Sequence, residues 1–168
     1  MVLSSKVEDW EIDLPQVAPP PTMKLMERWG GDRFIEGLDR PAAFDTIQGE
    51  MPPGVADVLC ADLLLGDVMN GSFHQYFHNS FGVTIERAIS AMRKLDLLKH
   101  ADAAEAALAV FGPNFPRDRR QRMDRMDELP ETAFDTVTDQ FHVAEDDHAT
   151  GMNATLQREA IRLLSENA

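Results

Sequence analysis

The feature that most limits what this chain can fold into is a run of apolar side chains at helical spacing. After Pro52-Pro53, Val55, Val58, Leu59, Leu63, Leu65, Val68 and Met69 recur at three- and four-residue steps, interrupted by Asp62 and Asp67 and stopped at Asn70-Gly71. Strict alternation, the mark of a half-buried strand, is absent there, and a helix satisfies the period. The same spacing recurs along the chain. Thr22 is placed to cap a helix carrying Met23, Met26 and Trp29, ended by Gly30-Gly31, with a short helix around Phe34–Leu38 following. Ser72 is placed to cap Phe73–His78, Asn79 to Gly82 read as a turn, and Thr84 is placed to cap a helix with Ile85, Ala88, Ile89, Met92 and Leu95 on one face. An alanine-rich helix runs from about Ala101 to Phe111 and stops at Gly112-Pro113; another starts at Asp118, passes Met123, Met126 and Leu129, and breaks at Pro130. Phe134, Val137 and Phe141 define a helix within 131–144. A last one from about Asn153 buries Leu156, Ala160, Leu163 and Leu164.

Residues 1–21 read as an extended arm. They end in three prolines, Pro19 to Pro21, and Trp10, Ile12 and Leu14 alternate with acids, a pattern suited to docking as an edge strand. Strand signals are weak after the arm. The expectation is an all-α fold, an irregular or orthogonal bundle of about seven helices over 22–168, in one domain.

With 168 residues and 43% hydrophobic side chains, the chain can bury a core without disulfides. Its one cysteine, Cys60, lies in an apolar run and reads as a core residue. No stretch approaches the roughly 20 apolar residues of a membrane span. Glu8, Asp9, Glu11 and Asp13 occupy the place where a signal peptide would be basic. A cytoplasmic location is expected. Twenty-nine acids against sixteen bases leave −13, a charge that repels nucleic acid and anionic membranes and attracts basic surfaces. Direct nucleic-acid binding is therefore not expected.

Few constellations carry chemistry. His74 and His78 stand four residues apart, a spacing that suits two zinc ligands, with His142, Glu145, Asp146 and His148 as further donors. Gln75 follows the first histidine where a zinc hydrolase needs a glutamate to activate water. There is no nucleophile elbow, phosphate-cradling loop or dinucleotide fingerprint. No catalytic residue and no cofactor are assigned. Arg117, Arg119, Arg120, Arg122 and Arg125 form the one basic cluster, in which Asp118–Arg122 and Arg120–Asp124 are spaced to pair along a helix.

The acidic segment that follows is more distinctive. Asp124, Asp127, Glu128, Glu131, Asp135, Asp139, Glu145, Asp146 and Asp147 face a single base, Arg125, for a formal net of −8. Glu131, Asp135 and Asp139 follow at four-residue steps, opposite Phe134, Val137 and Phe141. Four residues of helix advance about 6 Å, and a DNA strand advances about 3.4 Å per phosphate. Such a ridge imitates a sparse phosphate track.

The stretch Met69-Asn-Gly-Ser-Phe-His-Gln-Tyr-Phe-His-Asn-Ser-Phe-Gly82 resembles the Asn-Gly-Gly-Phe-x-Gln-Phe-Phe-x-Asn-x-x-Gly signature of a bacterial domain family whose named member is the nineteen-kilodalton DNA mimic protein. Asn70, Gly71, Phe73, Gln75, Phe77, Asn79 and Gly82 carry the match; Ser72 and Tyr76 depart mildly, and the likeness covers roughly 50–145. The residues themselves read as a structural corner: Gly71 for a tight turn, Phe73, Tyr76 and Phe77 as an aromatic wedge, and the amides of Asn70, Gln75 and Asn79 for backbone groups freed at helix ends. The resemblance implies a helical fold and, in the named member, an acidic surface that competes with DNA for a transcription regulator. The expectation is an interaction protein, not an enzyme, whose partner is a basic, nucleic-acid-binding protein held by the acids of 124–147; a homodimer is left open. The alternative is a small metal- or ligand-binding protein or enzyme centred on the Asn70–Gly82 corner.

Overall fold

A computed structural model describes residues 18–146 and 151–168. The proposed edge strand of Trp10, Ile12 and Leu14 lies outside the described residues, as do Asp147 and His148. The fold is all-helical. It has more helices than expected: α1 (Pro21–Leu25), α2 (Gly31–Gly37), α3 (Pro41–Gly49), α4 (Val55–Asn70), α5 (Phe73–His78), α6 (Ile85–Lys94), α7 (Leu98–Ala109), α8 (Arg119–Met126), α9 (Asp135–Glu145) and α10 (Met152–Glu166). A π-helical turn, Met26–Gly30, joins α1 to α2, and a 3-10 turn, Ser80–Thr84, joins α5 to α6. The helix missing from the sequence reading is α3. Pro41 opens it without loss of a backbone donor, and its apolar signal is only Phe44 and Ile47, which pack on Phe34 and Gly37 of α2.

Helix α4 is the hub. Val55, Ala56, Val58, Leu59, Cys60, Ala61, Leu64, Leu65 and Val68 are all buried, so it is apolar nearly all round, the character of a core helix. Gly54 starts it at φ 85°, a left-handed conformation that favours glycine. Helices α1, α5, α6 and α10 pack around it. Helix α6 turns Ile85, Ala88, Ile89, Ala91 and Met92 inward, and α10 does the same with Met152, Leu156, Ala160 and Leu163. Helices α7 and α9 lie antiparallel. His100 meets Glu145 at one end and Phe111 meets Phe134 at the other, and alanines 101, 103, 104 and 107 let the two approach closely.

Several local expectations change. Thr22 does not cap α1: it is the helix's second residue, buried, with its Oγ1 accepting from Gln157 Nε2 of α10 at 3.1 Å. Thr84 precedes α6, but its hydroxyl donates to the Phe81 carbonyl instead of accepting an α6 amide. Ser72 and Asp118 do cap, accepting from Gln75 N and Gln121 N. Met23 and Met69, expected on apolar faces, are half exposed. Helix α9 begins at Asp135, so Glu131 sits in the preceding turn and the helical ridge keeps only Asp135 and Asp139.

At the centre of the core, Phe77 is 0% exposed and its ring meets those of Phe111, Phe115 and Phe134 at 4.9, 5.8 and 5.4 Å between centroids. Phe77→Ala is expected to lower unfolding stability by about 3–5 kcal/mol, measured by urea titration; a loss under about 1 kcal/mol would mean that this cluster does not hold the core.

Candidate functional site

The corner at Asn70–Gly82 is built from a six-residue helix that could not stand alone. Two of α5's free amides are satisfied from outside: Gln75 N by the Ser72 hydroxyl at 3.3 Å and Phe73 N by Thr138 Oγ1 of α9 at 3.2 Å. Phe73, Tyr76 and Phe77 are fully buried, as the aromatic wedge requires. Phe73 meets Phe141 edge-on at 5.5 Å, and the Tyr76 hydroxyl lies 2.7 Å from Thr84 Oγ1. Burial pushes the Tyr76 phenol far above its ordinary range.

The amides of the signature do not serve backbone groups. Asp67 of α4, nearly buried, accepts from Gln75 Nε2 at 3.1 Å through one oxygen and from Asn79 Nδ2 at 2.9 Å through the other. Both ends of α5 are thereby tied to one carboxylate. Gly71 is needed for close approach: a Cβ there would sit 2.3 Å from Gln75 Oε1. Asn70 is exposed, and the structure gives it no packing role.

Arg122 is the residue that sequence reasoning misplaced most. It was paired with Asp118 on a solvated helix face; it is instead 0% exposed. Its Nε donates to the Phe77 carbonyl at 2.6 Å, its Nη2 to Asn79 O at 2.8 Å, and its Nη1 to Arg117 O at 2.9 Å and Pro116 O at 3.3 Å. Gly82 makes room: a Cβ there would stand 2.7 Å from Arg122 Nε. Burial pulls the guanidinium down to about 10, so it stays charged at neutral pH. The carbonyls at the C-terminal end of α5 are where a cation is favoured.

Three of the other arginines of the cluster are engaged too, while Arg120 is exposed. Arg117 grips Asp45 of α3 through both terminal nitrogens, at 2.8 and 2.6 Å, and holds that carboxyl below its usual range. Arg119 donates to the His78 carbonyl at 3.0 Å and lies 3.8 Å from Asp39. Arg125 pairs with Glu128 at 2.5 Å. The expected Arg120–Asp124 and Asp118–Arg122 pairs are not among the ion pairs of the described residues.

The acids of the segment divide. Asp124, Asp127, Glu128, Glu131, Asp135, Asp139 and Asp146 are exposed. Except for Glu128, none of them forms an ion pair among the described residues. Asp127 borders two shallow clefts, one shared with Asp124, Arg119 and Arg120 and one with His74, Glu131 and Phe134, so it links Asp124 to Glu131 along a strip that Arg119 and Arg120 flank. Glu145 does not belong to it. It is buried, accepts from His100 Nε2 at 2.9 Å, and caps α10 by accepting from Met152 N at 2.6 Å and Asn153 N at 3.0 Å. This corrects its expected place among the partner-binding acids; seven and four residues separate Phe134, Phe141 and Glu145, the spacing of the inner face of α9.

His74 and His78 share an exposed face, with ring centroids 6.4 Å apart. Among the described residues no third donor joins them to make a metal-holding group. His142 turns away to the Val68 carbonyl, which accepts from its Nε2 at 3.0 Å.

These features define an all-helical, acidic protein whose signature residues serve a buried polar corner and whose carboxylates line the face outside it. The sequence model of the DMP19-like protein family matches residues 49–162, and the chain belongs to that family. No curated protein and no solved structure gives a match. Among the described residues no helix is long and apolar enough to cross a membrane.

Arg122→Met, which keeps much of the volume but removes the guanidinium from four carbonyls, of which one, Asn79 O, keeps a second donor in Gly82 N, is expected to cost on the order of 3 kcal/mol or more; thermal and urea unfolding measure it. A second expectation concerns pH. Burial lowers the pKa of His100 from its ordinary 6.5, against the opposing pull of Glu145. The unfolded chain then binds more protons than the folded one, so this contribution is complete above the unfolded pKa and is lost as pH falls from there toward the folded value. Urea midpoints at about pH 7.5 and 5.5 should differ less in His100→Gln than in the wild type. An equal difference would assign the acid sensitivity to other groups.

Proposed function

We propose that this chain works by binding, without catalysis, and that a basic, nucleic-acid-binding protein recognises its exposed carboxylates in the manner of a DNA mimic. The observation that carries the reading is the segregation of charge around α8. Arg117, Arg119 and Arg122 are drawn to α3, to Asp39 and to the α5 carbonyls, and of the cluster only Arg120 is exposed beside the acids. Asp124, Asp127, Glu131, Asp135 and Asp139 are left facing solvent. A net charge of −13 supplies the long-range attraction that brings a basic partner in. Asp135 and Asp139, one turn apart on α9, stand at a spacing of about 6 Å, close to two phosphate steps of a DNA strand.

The test neutralises the strip: Asp127→Asn, Glu131→Gln, Asp135→Asn and Asp139→Asn together. Wild-type protein on a resin should retain a basic DNA-binding protein at about 50 mM salt and release it near 500 mM, since screening weakens exposed charges. Duplex DNA should compete. The quadruple variant should retain none while its stability stays within about 0.5 kcal/mol of wild type. Undiminished capture by that variant would place the function away from α8 and α9.

A further inference from the structure

The outer side of α9 also walls a groove of about 510 Å³ against α7. Ala103 and Ala144 form part of its lining, with Val143 and Thr136 along one wall and Asp102 and Asp139 at its edges. Val143 is 70% exposed, the most exposed large apolar side chain among the described residues, and Leu98, beside the lining residue Lys99, is 48% exposed. From Thr136 to Ala144 the α9 wall is about 12 Å long, a little over two helical turns.

We infer that this groove receives an amphipathic basic helix of the partner, its apolar face against Val143 and the alanines and its lysines or arginines against Asp102 and Asp139. This inference rests on the binding reading above and names the partner element that the acidic face accepts. Charge decides among occupants. The chain's own N-terminal arm carries Glu8, Asp9, Glu11 and Asp13, and a second copy would bring its own Asp135 and Asp139 to the same face; both meet repulsion. A basic helix meets acids on both walls, with Arg93 compensating part of the charge on Asp102. Lys99, the groove's one base, sits at the end where the antiparallel register places Asp146 opposite. Apolar anchors at i, i+3, i+4 and i+7 are how a helix fills such a groove.

The probe is a synthetic helical peptide of Leu, Ala and Lys with that apolar spacing, followed by fluorescence anisotropy and by amide shifts in labelled protein. Shifts should cluster at Ala103, Thr136, Val143 and Ala144. Val143→Lys and Thr136→Lys, both at exposed positions that leave the fold intact, should each weaken binding roughly tenfold or more. An oligolysine without an apolar face should bind at least roughly tenfold more weakly. The inference is overturned if Val143→Lys leaves peptide affinity unchanged, if oligolysine produces the same shifts with equal affinity, or if the groove is covered by a second copy in a dimer that Val143→Lys dissociates. Capture separates this failure from that of the wider reading. A DNA-binding protein lost by the quadruple carboxylate variant but retained in full by Val143→Lys leaves the acidic strip standing and removes the groove. One retained in full by both removes the strip as well.

Discussion

A guanidinium with no carboxylate beside it, sealed inside a helical protein, is an expensive object, and the arrangement around the corner follows from how that cost is met. Arg122 is offset by four backbone carbonyls, from Phe77, Asn79, Pro116 and Arg117. Two belong to the end of α5 and two to the segment leading into α8, so one side chain fixes the last turn of one helix against the approach to another. That geometry requires the bare backbone of Gly82. On the opposite side Asp67 performs the matching task, taking the amides of Gln75 and Asn79. A short helix that would be unstable alone is held between a buried anion and a buried cation that do not touch each other.

The orientation of α8 follows from this corner. Once Arg122 points inward, the residues around the rest of the helix are set by its period. Arg117 and Arg119 reach sideways to Asp45 and Asp39, while Asp124 and Asp127 project outward. Helix α9 is divided in the same way. Thr138, Phe141 and Glu145 turn inward to cap α5, fill the core and cap α10, and Asp135 and Asp139 occupy the other side. Buried structural residues and solvent-facing carboxylates thus sit on opposite faces of the same two helices.

Much of this was legible in the sequence, and the exceptions share a cause. Period and punctuation placed α4 to α10 closely, because long apolar faces ended by Gly or Pro leave few alternatives. Helix α3 was missed because Phe44 and Ile47 alone make too short a pattern. The polar residues misled. Arg122 and Glu145 carry charges that usually mean solvent, and one-dimensional spacing offered each a local reading: a partner for Asp118, or a member of an acidic run. For Glu145 the contrary signal was present, since 134, 138, 141 and 145 form one face. For Arg122 it was not, because its acceptors are backbone carbonyls, two of them 43 and 45 residues away, which no side-chain pattern records. Gly71 and Gly82 read as turn residues, but their use is to let another residue's side chain approach.

The seam between α1 and α10 has a different kind of consequence. Thr22 and Gln157 exchange hydrogen bonds across 135 residues, and Arg28 reaches the Asn167 carbonyl across 139. The entropy lost in closing a loop grows with the logarithm of its length, whereas contacts between neighbours such as α6 and α7 close loops of little more than a helix. The family match begins at residue 49, beyond α1 and at the last residue of α3. The segment that fastens to α10 therefore lies outside the matched body, and among the described residues its hydrogen bonds close the longest loops.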